Sequence, residues 1–118
     1  MYSAAITGSG VFTPEHSITN DELVVAFNAH ADLFNFENTD AIAAEIITAK
    51  PHSSSEFIFA ASGIKSRYVL DKVGVLDPSR MYPKMPVRSD DEPSLMAEMA
   101  VDAALQAMAQ AGKSADDI

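Results

Sequence analysis

The chain has 118 residues, 47% of them hydrophobic, which is enough for one small domain or for part of a larger one. Its 17 acidic and 8 basic residues give a formal net charge of −9, which argues against nucleic acid and other polyanions as partners. The absence of cysteine excludes disulfides, cysteine-ligated metal sites and a cysteine nucleophile within this chain.

The N-terminal sequence has none of the marks of a targeting segment. Residues 1–10 read MYSAAITGSG and lack the basic start and the long apolar stretch of a secretory signal. No apolar run approaches the ~20 residues that a membrane-spanning helix needs. We therefore expect a cytoplasmic protein without a membrane partner.

A strand at residues 2–13 is the first predicted element. The segment contains β-favouring side chains, and Gly8 and Gly10 indicate close packing against a neighbouring backbone. Pro14 ends the strand. A dinucleotide-binding loop at 8–10 is the less favoured alternative, because the third glycine of that motif is missing.

Two helices joined by a connector are predicted next. The sequence TNDE at 19–22 is a capping-box pattern before apolar residues at helical spacing, which predicts a helix over 20–29. Residues 30–38 are predicted to be a connector. A second helix is predicted over 40–49 and ends at Pro51, because the residue before a proline avoids helical geometry.

The following residues predict a short helix, a strand and a long loop. Serines after Pro51 can cap a helix over 54–60. The Ser-Gly pair at 62–63 then turns the chain into a strand at 64–70. Residues 71–93 hold most of the prolines and show no sustained period, which predicts a long loop.

The strongest helix signal lies at 94–111. Apolar residues recur there at helical spacing, and Gly112 follows at the place of a C-terminal glycine. The inner face is rich in alanine, which allows close approach to a sheet or to another helix. Residues 114–118 are predicted to lead into a further strand.

Four groups of residues have both a functional and a structural interpretation. They are the histidines His16, His30 and His52, the acidic runs at 90–92 and 116–117, the methionines Met81, Met85, Met96 and Met99, and the basic residues Lys65, Arg67 and Lys72. The histidines and acidic runs lack the spacing of a metal site, so surface and capping roles are favoured. Core packing is favoured for the methionines over an apolar ligand channel. Ion pairing is favoured for the basic group over phosphate binding.

The order of the sequence elements carries a family signal. The elements are ITGSGVFTP at 6–14, ITNDELV at 18–24, EFI at 56–58, SGIKSRYV at 62–69 and QAGKSADDI at 110–118. Together they resemble the beginning of a β-ketoacyl-acyl carrier protein synthase III, a condensing enzyme of the thiolase superfamily. The resemblance covers the chain except residues 30–52, which look like an insertion. It implies that residues 1–118 are the N-terminal part of the first half of an α/β, thiolase-like fold, with a central strand, helices and a long loop, helix-rich in isolation.

The resemblance implies an acyltransferase of fatty acid biosynthesis. Such an enzyme condenses a primer acyl-coenzyme A with malonyl-acyl carrier protein, acts as a homodimer and needs no cofactor. The catalytic residues of the family would follow Ile118, so no catalytic residue is expected in this chain, and the chain alone is expected to be inactive. A noncatalytic binding module derived from a condensing enzyme is the main alternative, and an unrelated acidic interaction domain is another.

The resemblance also assigns substrate-binding roles. In relatives the stretch that matches residues 53–57 lies at the mouth of the coenzyme A tunnel, so Phe57 is expected to stack near the adenine and Ser53 to hydrogen-bond its edge. A core role for Phe57 is the alternative. Where relatives have an arginine that can bind the phosphates of coenzyme A, this chain has Ala61. This segment therefore departs from the family pattern of phosphate recognition. Arg67 matches the arginine of the SGIxxR element and is expected to be structural and ion-paired.

Overall fold

The computed structural model describes residues 3–118. These residues form two compact units. One unit combines the residues up to Thr13 with Pro86–Ile118, and the other is Pro14–Met85. The elements in chain order are strand β1 (His16–Thr19), helices α1 (Asn20–Glu37), α2 (Thr39–Ala43) and α3 (Ser55–Ser62), strand β2 (Ser66–Val69), helices α4 (Lys72–Leu76) and α5 (Leu95–Ala111), and a 3₁₀ turn at Ala115–Asp117. The chain is therefore α/β and helix-rich. No helix in the described part is long and apolar enough to cross a membrane.

Helix α1 begins where the capping-box sequence predicts. The Thr19 hydroxyl accepts a hydrogen bond from the Glu22 backbone N–H at 3.2 Å, and the Glu22 carboxylate accepts one from the Thr19 N–H at 2.9 Å. The helix continues to Glu37, so the predicted connector at 30–38 is wrong. Ala31, inside that segment, is fully buried, so packing of the helix face extends beyond the predicted end.

Helix α2 is much shorter than the predicted helix at 40–49. It ends at Ala43, and Glu45 takes a left-handed backbone conformation with a φ of 58°. A non-glycine residue with this φ does not continue a right-handed helix. Residues 48–54 then have no regular secondary structure before α3 begins.

The two strands form a small antiparallel sheet in which Ile18 of β1 lies opposite Arg67 of β2. Ile18 is fully buried. The strand predicted at 64–70 is therefore confirmed in its central residues, and its partner is β1.

Asn20 joins the two sequence elements on which the family resemblance depends most. Its backbone N–H donates to the Lys65 carbonyl at 3.1 Å, and its side-chain N–H donates to the Ile64 carbonyl at 2.7 Å. Its side-chain oxygen accepts from the Arg67 guanidinium at 2.7 Å. The TNDEL and SGIKSR elements thus contact each other through one buried side chain. The prediction that Arg67 forms an ion pair is wrong within the described residues. Its guanidinium donates to the side-chain amide oxygen of Asn20, and no carboxylate of residues 3–118 pairs with it.

The Asp71 side chain connects the two ends of segment 71–84 by hydrogen bonds. Its carboxylate accepts hydrogen bonds from the backbone N–H of Gly74 at 3.1 Å and of Lys84 at 2.6 Å, and these bonds lower the pKa of Asp71. A Cβ at Gly74 would lie 2.8 Å from the Lys84 nitrogen and the Tyr82 oxygen, so only glycine fits there. Helix α4 lies inside the segment predicted as a loop, and residues 77–93 contain no helix or strand.

Residues 3–13 do not form the predicted strand. A strand needs a neighbour to complete its hydrogen bonds, and within the described residues this segment has no strand beside it. Side-chain oxygens of α5 take that place: Gln110 accepts from the Ser9 N–H at 2.6 Å, and Gln106 accepts from the Val11 N–H at 3.4 Å. The predicted close packing of Gly8 and Gly10 is confirmed, with the α5 backbone as the neighbour.

Helix α5 matches its prediction to within one residue. The Ser94 hydroxyl accepts from the Ala97 N–H at 3.2 Å, and Gly112 ends the helix with a φ of 65°. The 3₁₀ turn at Ala115–Asp117 takes the place of the predicted lead into a strand.

Candidate functional site

A surface cleft lies in the Pro14–Met85 unit beside α1 and the start of α3. Its volume is about 550 Å³, and it is lined by Phe27, Pro51, His52, Ser53, Ser54 and Phe57. Small-molecule sites commonly enclose ~300–1,000 Å³. The cleft therefore has room for a ligand of the size of a nucleoside, and it combines aromatic and hydroxyl side chains.

A second, smaller pocket shares Phe27 and Ser53 with this cleft. It measures about 170 Å³ and has an apolar lining completed by Leu23, Val24 and Ile58.

Phe57 owes its place in the cleft to the cap of helix α3. The Ser54 hydroxyl accepts from the Phe57 backbone N–H at 3.1 Å, which starts the helix and places Phe57 in its first turn. The Phe57 side chain is 67% exposed, so it does not belong to the core of this unit. An aromatic ring that is exposed in a cleft is available for stacking.

Two asparagines of α1 hold the extended segment that leads into the cleft. The Asn28 side chain donates to the Ser53 carbonyl at 3.1 Å and accepts from the Ser53 N–H at 2.8 Å. The Asn35 side chain makes the same pair of bonds with Lys50, at 2.9 Å to its carbonyl and 2.8 Å from its N–H. We call these four hydrogen bonds the asparagine clamp. Sequence reasoning missed both residues, although asparagine inside a helix is disfavoured enough to be a signal.

His52 is the one ionisable side chain among the residues that line the cleft. Its Nε2 lies 2.7 Å from the Asp32 carboxylate, which fixes the orientation of the ring. The Lys50 ammonium donates to His30 at 2.9 Å and lies 4.1 Å from the centre of the Phe34 ring. The lining of the cleft thus holds one ionisable side chain, which is paired with a carboxylate.

The structure brings Ser53 and Phe57 into the same cleft. The Ser53 hydroxyl has no hydrogen-bond partner among residues 3–118, so it is free to bind a ligand. Ala61 lies exposed on α3 one turn after Phe57 and supplies no charge.

The remaining clusters do not form a site. Lys72 forms an ion pair with Glu22 at 2.5 Å, as predicted, and Lys65 lies 5.6 Å from the centre of the Phe59 ring. Met96 is 81% exposed, so the core interpretation is wrong for it. Among the described residues, no three histidine, aspartate or glutamate side chains are placed to hold a metal ion.

Comparison with known proteins identifies a relative. No model of a known protein family matches the chain. A stretch of 93 residues, 79% of the chain, is 50% identical to a β-ketodecanoyl-[acyl-carrier-protein] synthase of Pseudomonas aeruginosa. The match spans 27% of that relative. The similarity to a β-ketoacyl-acyl carrier protein synthase that the sequence elements indicate is therefore confirmed.

Proposed function

We propose that this chain is the N-terminal part of a 3-oxoacyl-acyl carrier protein synthase of the synthase III type. The parent enzyme condenses a primer acyl-coenzyme A with malonyl-acyl carrier protein in fatty acid biosynthesis. The identity of 50% over 93 residues supports this origin. The proposal includes a thiolase-like fold, in which residues 30–52 are an insertion, and a cytoplasmic homodimer.

The chain's proposed contribution is to bind the adenosine end of coenzyme A. The exposed Phe57 ring stacks on the adenine, and the free Ser53 hydroxyl bonds the adenine edge. This assignment is carried by one observation: both side chains line the same cleft, whose volume is about 550 Å³. Because the chain has no cysteine, an acyl group cannot be held on a thiol within it, and condensation belongs to the rest of the parent.

The relative's name suggests a chain length. If the parent of this chain also forms a β-ketodecanoyl product, its primer has eight carbons, because a malonyl donor adds two. Activity of the full-length enzyme with primers of different lengths tests this detail separately from the reaction type.

The adenine contact is tested in the full-length enzyme with Phe57→Ala. The change removes a stacking surface from the cleft, so the KM for acyl-coenzyme A is expected to rise roughly tenfold, the equivalent of ~1.4 kcal/mol. The melting temperature is expected to stay nearly constant, because the ring is exposed. Steady-state kinetics and thermal unfolding measure the two effects.

Phe59→Ala is the matched control. Phe59 lies on the same helix, is 46% exposed and does not line the cleft, so its loss should leave the KM unchanged. An unchanged KM for Phe57→Ala, or a large fall in its melting temperature, contradicts the adenine contact. A full-length protein that binds coenzyme A but forms no 3-oxoacyl product would instead be the noncatalytic module.

A further inference from the structure

We propose that Asn28 is a positioning residue for the coenzyme A cleft, acting through Ser53. The inference rests on the proposed function, since it concerns the same cleft. Asn28 itself does not line the cleft, but it makes two hydrogen bonds to the backbone of Ser53, which does.

The spacing of the asparagine clamp matches the spacing of the segment that it holds. Asn28 and Asn35 are seven residues apart, which is ~10.5 Å along a helix at ~1.5 Å per residue. Lys50 and Ser53 are three residues apart, which is ~10 Å along an extended chain at ~3.3 Å per residue. Because the two lengths agree, both amides reach a peptide group at once, and the segment runs antiparallel to α1.

Each amide acts as a substitute for a neighbouring strand. An asparagine side chain presents one N–H and one C=O, which is what a strand presents to the peptide group of its partner. The segment lies outside both strands, so without the clamp its N–H and C=O groups at these positions would lose their protein partners. The clamp therefore fixes the path of the segment as well as its distance from α1.

The two halves of the clamp differ in what they position. Asn28 holds Ser53, next to the Ser54 cap that starts α3 and sets Phe57 in place. Asn35 holds Lys50, which does not line the cleft. Replacement of Asn28 is therefore expected to displace Ser53, which is a proposed ligand contact. The same replacement at Asn35 displaces Lys50, which lies outside the cleft.

The test compares Asn28→Ala with Asn35→Ala in the full-length enzyme. Each variant loses one donor and one acceptor from the same face of α1, so similar falls in melting temperature are expected. Asn28→Ala is expected to raise the KM for acyl-coenzyme A, and the Kd for coenzyme A itself, roughly tenfold. Asn35→Ala is expected to change both by less than about twofold. Kinetics, calorimetric titration with coenzyme A and thermal unfolding give the three readouts.

Asn28→Asp supplies a second variant if Asn28→Ala does not fold. The carboxylate can still accept from the Ser53 N–H but cannot donate to the Ser53 carbonyl, so an intermediate rise in KM is expected. The positioning role would be overturned if Asn28→Ala and Asn35→Ala changed the KM equally. It would also be overturned if Asn28→Ala lowered the melting temperature and left the KM unchanged. Absence of coenzyme A binding by the unaltered enzyme would overturn the proposed function as well, which separates the two failures.

Discussion

Glu22 uses both of its carboxylate oxygens at the start of helix α1. One oxygen accepts from the Thr19 backbone N–H at 2.9 Å and from the Thr19 hydroxyl at 3.1 Å. The other pairs with the Lys72 ammonium at 2.5 Å. The hydrogen bond with Lys72, and next the one with the Thr19 backbone, lower the pKa of Glu22 from 4.5 to about 2. The carboxylate thus joins the first turn of α1 to α4.

The lowered pKa predicts a pH-dependent contribution to stability. A group whose pKa is lower in the folded chain binds protons more readily in the unfolded chain. The stabilisation by Glu22 is therefore complete above pH 4.5 and is lost as the pH falls towards about 2. Thermal unfolding across this range should show a gap in melting temperature between the unaltered chain and Glu22→Gln that closes at low pH.

Glu15→Gln is the control for that experiment. Glu15 is exposed and has no ion-pair partner among the described residues, so its replacement should leave the melting temperature nearly unchanged. A gap for Glu22→Gln that persists unchanged down to pH 2 would show that ionisation of Glu22 does not stabilise the fold.

At the scale of elements, the contact between residues 3–13 and α5 depends on two glycines. A Cβ at Gly10 would overlap the Ala103 carbonyl oxygen and would lie 2.9 Å from the Ala107 nitrogen. The helix residues at this closest approach are the small, half-buried Ala103 and Ala107. The extended segment therefore lies directly on the helix backbone.

Gly10→Ala is expected to destabilise this unit. The added methyl meets backbone atoms that cannot rotate away, so a cost of about 1–3 kcal/mol is expected from overpacking. Chemical denaturation followed by far-ultraviolet circular dichroism measures it. Thr7→Ala, at an exposed position of the same segment, should stay within about 0.5 kcal/mol. Equal stabilities of the two variants would contradict the close contact.

The sequence predicts the elements whose signals are local. Helix α5 carries its own cap at Ser94 and its own terminator at Gly112, and both ends were predicted to within one residue. The strand predicted at 2–13 is wrong over residues 3–13, because strand formation depends on a partner elsewhere in the chain, which the local sequence does not reveal. The early end of α2 depends on the left-handed conformation of Glu45, a residue type that gives no such signal.

For the candidate site, sequence reasoning named the two proposed ligand contacts but not the residues that hold them in place. Ser53 and Phe57 came from the family resemblance, and the structure places both in one cleft. Asn28 lies 25 residues before Ser53, so its role appears only when the helix and the extended segment are seen together. Side-chain to backbone contacts at such separation leave no period in the sequence.

At the scale of the whole molecule, the described residues bury few large apolar side chains. The buried hydrophobic residues are Ile18, Ala26 and Ala31. Exposed apolar residues occur in both units: Phe36 is 81% exposed in one, and Val101 and Leu105 are 57% and 55% exposed in the other. Val101 and Leu105 lie one helical turn apart, so they share a face of α5 that is available for contact with other protein.

The chain in isolation is expected to associate with itself at micromolar concentration. Residues 3–13 form no strand that could pair between copies, so apolar helix faces, such as that of Val101 and Leu105, are expected to cause this association. The net charge of −9 opposes association but is screened beyond ~8–10 Å at ordinary salt, so association should grow as salt is added. Light scattering over a range of concentrations measures it.

Val101→Asp combined with Leu105→Asp should shift the chain towards monomer. The paired change places charge on adjacent turns of the exposed face of α5. A monomer at every concentration for the unaltered chain, with cooperative unfolding, would show that these faces do not drive assembly.

The asparagine clamp also sets how the cleft wall can open. Segment 50–53 is attached to α1 by side chains, so rotation of one asparagine releases a peptide group while every backbone hydrogen bond of the helix stays intact. A segment held in a strand ladder cannot separate so locally. Separation of segment 50–53 from α1 would therefore not require unfolding of the helix, and a ligand bound between Ser53 and Phe27 of α1 would oppose such separation.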